Sequence, residues 1–478
     1  MKSSAPSPFA PKAESKSVRE SSTDPCAAVL AGGPVTKGLF VAALAMVGGC
    51  SSGASVVELD VIVGQETSAM TEDAPVTKVV VQGVSPEGTT MSATAAPGGT
   101  LDFGEINGDL AYTFDVTGFD AQGNTVLRGR SIGGIVPSSL AGESFPVFAE
   151  RLGGWSRPTG ALARAHSHAP AVTIGERYLF MTGGDAAQNA AETEEYDLFW
   201  WEGAKGPTFP FAARTLVSNV DSVLALGSDV IWLDSSGFAS PTLPTGLDSF
   251  EPLAGGSAVT SDDGRLFLVG ATRLDKASDV VLEVAADQSV TVRKLVFPRA
   301  GAAATWVADV GLVVVGGSAT DPAVEVLPVN GTAFAVPGFP PDATTGAGAA
   351  ASTLGTVLLA GGTSNGVGAK TRIFDPRCIS DCTMDVLDDA TPDAALAKTA
   401  AFGLPGGRAV VVGDELDPMG QTRTYVIHYL KPSVKEMPLR EPRRGATAVP
   451  APNGTLAVMG GLHLDGTPAL SVEMYFPE

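Results

Sequence analysis

Short apolar runs closed by glycine recur along much of the chain. The clearest are 312–315 before Gly316-Gly317, 357–360 before Gly361-Gly362, and 456–459 before Gly460-Gly461. Residues 178–182 before Gly183-Gly184 are an earlier copy; 266–269 before Gly270 and 409–412 before Gly413 are weaker ones. Each run is too short for an ordinary helix and apolar throughout, the pattern of a strand covered on both faces. The glycines supply positive φ or let another element approach closely. Gly317 and Gly362 stand 45 residues apart, and Gly413 and Gly461 stand 48 apart. A period of that length filled with short strands predicts the blades of a β-propeller.

The pattern differs nearer the N-terminus. Residues 57–63 alternate in part, 76–81 are rich in β-branched side chains, and 112–119 and 125–130 flank a turn that contains Gly123-Asn124. This reads as strands ending in a hairpin, and predicts a small β-sandwich over 56–136. The hairpin resembles the last strand pair of immunoglobulin-like modules, so the sandwich is expected to be immunoglobulin-like and to act as a spacer. Residues 137–147 read as a linker and 148–478 as the propeller.

Ahead of the strands, residues 1–34 are rich in Ser, Pro and Ala. Lys37 then precedes the apolar run 38–47, and Val47-Gly48-Gly49-Cys50 closes it. A ten-residue apolar core suits a signal peptide and not a membrane span. The closing tetrad resembles a bacterial lipobox, which implies cleavage before Cys50 and a diacylglycerol on its thiol. Residues 1–49 are then a leader and 50–55 a tether, while an ordinary signal peptide cut near Ala54 is the other reading. Ser51 resembles the outer-membrane sorting signal, so a lipid-anchored location at the bacterial outer membrane is expected. The long head before Lys37 suggests that translation starts near Val29 or Val35.

From 148 onward the chain resembles the kelch repeat family, to which the central domain of galactose oxidase is also similar. The first unit carries Arg164, Gly183-Gly184, Glu195-Tyr196-Asp197 and Trp200 or Trp201. The fifth carries Gly361-Gly362 and Phe374-Asp375-Pro376, and the last Arg443-Arg444 and Gly460-Gly461. The second unit, around Val230-Ile231-Trp232, has no diglycine. The expected fold is therefore all-β, with seven kelch-type blades, or six if that unit is not a blade. The segment 148–155 is expected to supply the missing fourth strand of the last blade and close the ring.

Charge and chemistry narrow function less. The net charge of −21 excludes a nucleic-acid partner, which needs a basic stripe. Cys378 and Cys382, four apart, read as a local disulfide in an exported chain. Of four histidines, His166 and His168 would share a face if extended; two ligands do not make a metal site. The radical copper oxidases among kelch-like proteins need two Tyr, two His and a Cys, a set these residues do not supply in sequence, so neither metal nor cofactor is expected. The acidic groups Asp262-Asp263, Asp388-Asp389 and Asp414-Glu415 read as solvated loops, and Arg440, Arg443 and Arg444 as structural partners within a blade. The resulting expectation is a cell-envelope lipoprotein whose propeller binds protein or glycan and is not an enzyme. The alternatives are a carbohydrate-active enzyme with its site at the axis and an architectural envelope component.

Overall fold

The computed structural model describes residues 57–477, apart from 105, 141–142, 185–189 and 418. The leader and Cys50 lie outside the described residues. The architecture is all-β, with 3-10 turns between strands, and no described helix is long and apolar enough to cross a membrane.

Among the described residues, seven antiparallel meanders follow one another from residue 171 onward, called here sheets I to VII. Their first strands are Ala171–Ile174, Thr215–Asn219, Ser257–Thr260, Ala303–Val307, Gly348–Ala351, Leu396–Leu404 and Thr447–Pro450. First strands of sheets I to VI lie side by side in order, and that of VII lies beside that of I. The apolar runs are second strands, buried along their whole length, as in Gly311–Val315 and Val357–Ala360. Strand periodicity explains the continuous run. Val313 and Val315 enter the core between sheets IV and V, while Leu312 and Val314 enter the core between III and IV.

An open row of seven sheets has six interfaces, but seven apolar clusters are present among the described residues. The additional one joins Met459 and Met474 of sheet VII to Leu179 and Met181 of sheet I, so the row closes on itself. Each fully buried Val, Leu or Met contributes about 1.5–3 kcal/mol, so closure is strongly favoured. The unit without a diglycine is a complete four-stranded sheet, in which Val230–Asp234 is the third strand behind Ser222–Leu226.

Closure uses a later segment than the sequence suggests. Phe145–Arg151 pairs in parallel with Leu59–Ile62 and antiparallel with Thr125–Arg130, and so belongs to the leading sheet. The partner of the last strand is Ser156, which exchanges hydrogen bonds with Met474 at 2.8 and 3.0 Å. Trp155 is fully buried against Tyr475 and donates from Nε1 to the Thr424 hydroxyl at 2.9 Å. Val147 to Glu150 are buried without a break, and the pairing partners alone place this strand in the leading sheet.

The leading strands, expected as a sandwich, lie in one six-stranded sheet that extends past 136 to Arg151. The expected hairpin is there, Thr113–Phe119 with Thr125–Arg130, its turn held by the Asp120 carboxylate accepting from the Gln122 and Asn124 N–H groups. A sheet with one apolar face needs a cover. Part of the cover is the ring: Phe145 lies 6.0 Å from Phe199, and Phe148 lies 5.1 Å from Trp201. The leading sheet and sheets VII and I share one core, which makes it a bonded flank of the ring and not a free spacer.

Candidate ligand site at the axial mouth

Antiparallel meanders separate two kinds of connection to opposite ends of the ring. First-to-second-strand turns are tight hairpins such as 175–177 and 220–221. Second-to-third-strand loops such as 361–371, and the connections between sheets such as 206–214 and 387–395, emerge at the other end and are longer. Scaffolds of this kind carry binding groups on the longer loops.

The loop end is held by a repeated clamp. Arg299 is fully buried; it donates to Glu325 at 2.8 Å and to the Gly316 carbonyl at 2.7 Å. Arg443 repeats this with Glu473 at 2.9 Å and the Gly460 carbonyl at 3.2 Å. Both arginines are therefore structural, as the sequence indicates for Arg443: each guanidinium ties the first glycine of a diglycine to a third-strand carboxylate. In sheet I, His166 takes this place, with Nδ1 3.0 Å from the Gly183 carbonyl and Nε2 3.9 Å from Glu194. The second glycine is needed for room. A Cβ on Gly317 would lie 2.8 Å from the Ala300 carbonyl oxygen, and one on Gly461 2.8 Å from that of Arg444.

Between the first strands, at the loop end, opens a cavity of about 410 Å³ lined by His168, Arg214, Ser257, Lys398, Asp414 and Thr447 among others. His168 Nε2 stands 2.8 Å from Asp414 Oδ2. Asp414 Oδ1 accepts from the Thr422 hydroxyl at 2.6 Å and from the Gly445 N–H at 3.1 Å. Burial pushes the Asp414 carboxyl up, but the bonds from His168 and Thr422 outweigh it and leave the group below the usual carboxylate value. Arg214 donates to Asp275 at 2.9 Å. A fixed carboxylate–imidazole pair beside cationic side chains can hold an anionic or hydroxylated ligand and can accept or return a proton.

The predicted site residues scatter. His168 has φ of +52°, so 166–168 is not extended: His166 turns into the sheet and His168 toward the axis. His463 pairs with Glu441 at 2.8 Å. Cys378 and Cys382 are bonded to each other, with Cα atoms 5.7 Å apart. Asp262 and Asp388 bond to Trp306 and Lys370. Asp414, read in sequence as part of a solvated loop, is instead the anchor of the axial site, because a strand end and not a loop presents it. Lys398 was not singled out in sequence. Among the described residues, no three His, Cys, Asp or Glu side chains gather as a metal-holding group.

No family model matches the chain, and no curated protein matches it. Solved structures distantly similar to the chain include two that differ in kind. One, titled "Structure of YjhT", aligns with 58% of this chain and 99% of its own at 12% identity and a TM-score of 0.40. The other is a fungal alcohol oxidase of the AA5 family in complex with copper; it aligns with 68% of this chain and 76% of its own at 13% identity and a TM-score of 0.46. At these values the ring of sheets described above, not the likeness, carries the fold. Among the described residues, Tyr425 and Tyr429 lie in the apolar core between sheets V and VI, and Cys378 and Cys382 are joined in the disulfide.

Proposed function

We propose that the chain is a cell-envelope lipoprotein, tethered to the bacterial outer membrane through diacylglycerol on Cys50. In this reading sheets I to VII are the blades of a seven-bladed kelch-type propeller, which binds a protein or a glycan at the axial mouth. The observation that supports the binding role is the concentration of His168, Asp414, Arg214 and Lys398 in one cavity at the loop end. The opposite end carries the first-to-second-strand hairpins and the longer disulfide loop 375–384, and the leading sheet flanks it at sheets VII and I, where a cavity of about 460 Å³ opens beside Gly175 and Tyr178. The test is a glycan array with a parallel pull-down from envelope extract, using the mature chain and an Asp414→Asn, Lys398→Gln double variant. Saturable capture lost in the variant supports the reading; capture unaffected by it refutes binding at the axis. Anchoring is tested separately: Cys50→Ser should abolish incorporation of labelled palmitate.

A second reading, a carbohydrate-active enzyme at the same site, is favoured by the His168–Asp414 pair. It requires product formation from any sugar the array identifies, and binding without turnover rejects it.

A further inference from the structure

Backbone bonding identifies equivalent positions around the mouth. The Gly346 N–H donates to the Gly301 carbonyl at 2.8 Å, and the His168 N–H donates to the Gly445 carbonyl at 2.7 Å, each reaching the sheet before its own. The Thr399 N–H donates to the Gly346 carbonyl at 2.8 Å; here the bulge between Ala397 and Ala400 moves the donor on by one residue, so Lys398 holds the equivalent place. All five positions are left-handed: Gly301 at φ +66°, Gly346 at +69°, Gly445 at +68°, His168 at +52° and Lys398 at +49°. Glycine adopts this backbone freely, whereas a residue with a Cβ is disfavoured there. The fold therefore asks for glycine at this level, and sheets I and VI supply His and Lys instead.

These two exceptions line the same cavity. The chain carries a net charge of −21, yet this cavity holds Arg214, Lys398 and His168 against two carboxylates: Asp275, which accepts from Arg214 at 2.9 Å, and the lining Asp414. Asp414 is already engaged by His168, Thr422 and the Gly445 N–H. The remaining lining is uncharged, with the hydroxyl residues Thr215, Ser257 and Thr447 among alanines, glycines and a few larger aliphatic side chains such as Leu216 and Val412, which suits a hydroxylated ring. Strained side chains kept where glycine fits are found at sites of function.

We infer that Lys398 and His168 are ligand-contacting residues that select a small anionic sugar, its carboxylate or phosphate held by Lys398 with Arg214 beside it. This rests on the axial mouth being the binding site. Binding releases water from the charged groups and pairs the ligand's oxyanion with donors that the acidic exterior does not offer.

The experiment is calorimetric titration of the full chain in detergent with D-glucuronate, D-glucose 6-phosphate and neutral D-glucose. It is repeated on Lys398→Gly and Lys398→Gln, with Tm measured for each. At least one anionic probe should bind about tenfold or more tightly than glucose, with affinity that falls as salt rises. Both variants should lose about tenfold of that affinity. Lys398→Gly should also raise Tm by roughly 1–2 °C, because it removes the left-handed strain, and Lys398→Gln should not. A carboxylate preference and a phosphate preference each support the inference and identify its source. Glucose binding as tightly as the anions overturns it and leaves axial sugar binding standing. Unchanged affinity in both variants, a lowered Tm in Lys398→Gly, or no binding of any probe up to about 10 mM also overturns it.

Discussion

The two ends of the ring are built from the same strands by different physics. At the hairpin end, first-to-second-strand turns are tight and the joint to the leading sheet is apolar: Phe145 is fully buried between Phe114 at 5.2 Å and Phe199 at 6.0 Å. At the loop end, buried ion pairs hold the frame, with Arg299–Glu325 at 2.8 Å and Arg443–Glu473 at 2.9 Å, and the axial cavity opens among polar side chains. Apolar packing tolerates many sequences and gives rigidity, whereas a buried guanidinium fixes the position of each carbonyl it binds. The difference teaches that the end carrying the polar cavity is the end whose turn carbonyls are held by buried guanidinium groups.

The largest expected effects attack each end separately. Glu325→Ala leaves the Arg299 guanidinium buried without its counter-charge and should cost about 3–5 kcal/mol in urea unfolding. Because Arg299 also holds the Gly316 carbonyl, this variant should weaken ligand binding at the mouth as well. Phe145→Ala should cost a similar 3–5 kcal/mol by opening a cavity at the leading sheet, yet leave affinity at the mouth unchanged. If the two variants alter affinity equally, the ends are not independent.

Glycine substitutions sharpen the contrast at lower cost. Gly362 has φ of +77°, and a Cβ there would lie 2.7 Å from the Ala347 nitrogen, so Gly362→Ala should cost about 2–3 kcal/mol. Gly264, in a hairpin turn, has φ of +79° but nothing within 4 Å, so Gly264→Ala should cost only about 1 kcal/mol. Equal costs would show that crowding at the loop end contributes nothing.

Another modest effect depends on pH. Burial, with Asp197 adding to it, pushes the Glu195 carboxyl up to about 7. The folded chain then binds a proton more tightly than the unfolded one, so stability is full below the ordinary carboxylate range and is lost as pH rises through about 7. Glu195→Gln should raise Tm at pH 8 relative to the parent, by about 1–2 kcal/mol of stability, and leave a smaller difference at pH 5. An identical difference at both pH values would contradict this.

The second strands and their diglycines were legible in the sequence because burial on both faces leaves an uninterrupted apolar run, as at Leu312 to Val315, and left-handed turns demand glycine. Arg443 was legible as a structural partner, whereas the matching role of Arg299 was not read from the sequence and came from its clamp on Glu325 and Gly316. Sheet II was harder to read: Ser222–Leu226 is followed by one glycine, and Trp232 drew attention to the third strand. The closing segment, expected at 148–155, was placed too early, since only the pairing of Phe145–Arg151 with Leu59–Ile62 and Thr125–Arg130 assigns that strand to the leading sheet.

The sequence by itself determined the class of fold and the repeat, since both follow from local periodicity and backbone conformation. Only the tertiary structure decided where the chemistry lies. His168 and Asp414 stand 246 positions apart, and Lys398 belongs to the bulge of another strand. No local pattern joins them; ring closure brings sheets VI, VII and I around one axis, and the left-handed backbone at 168 and 398 sets their place at its mouth.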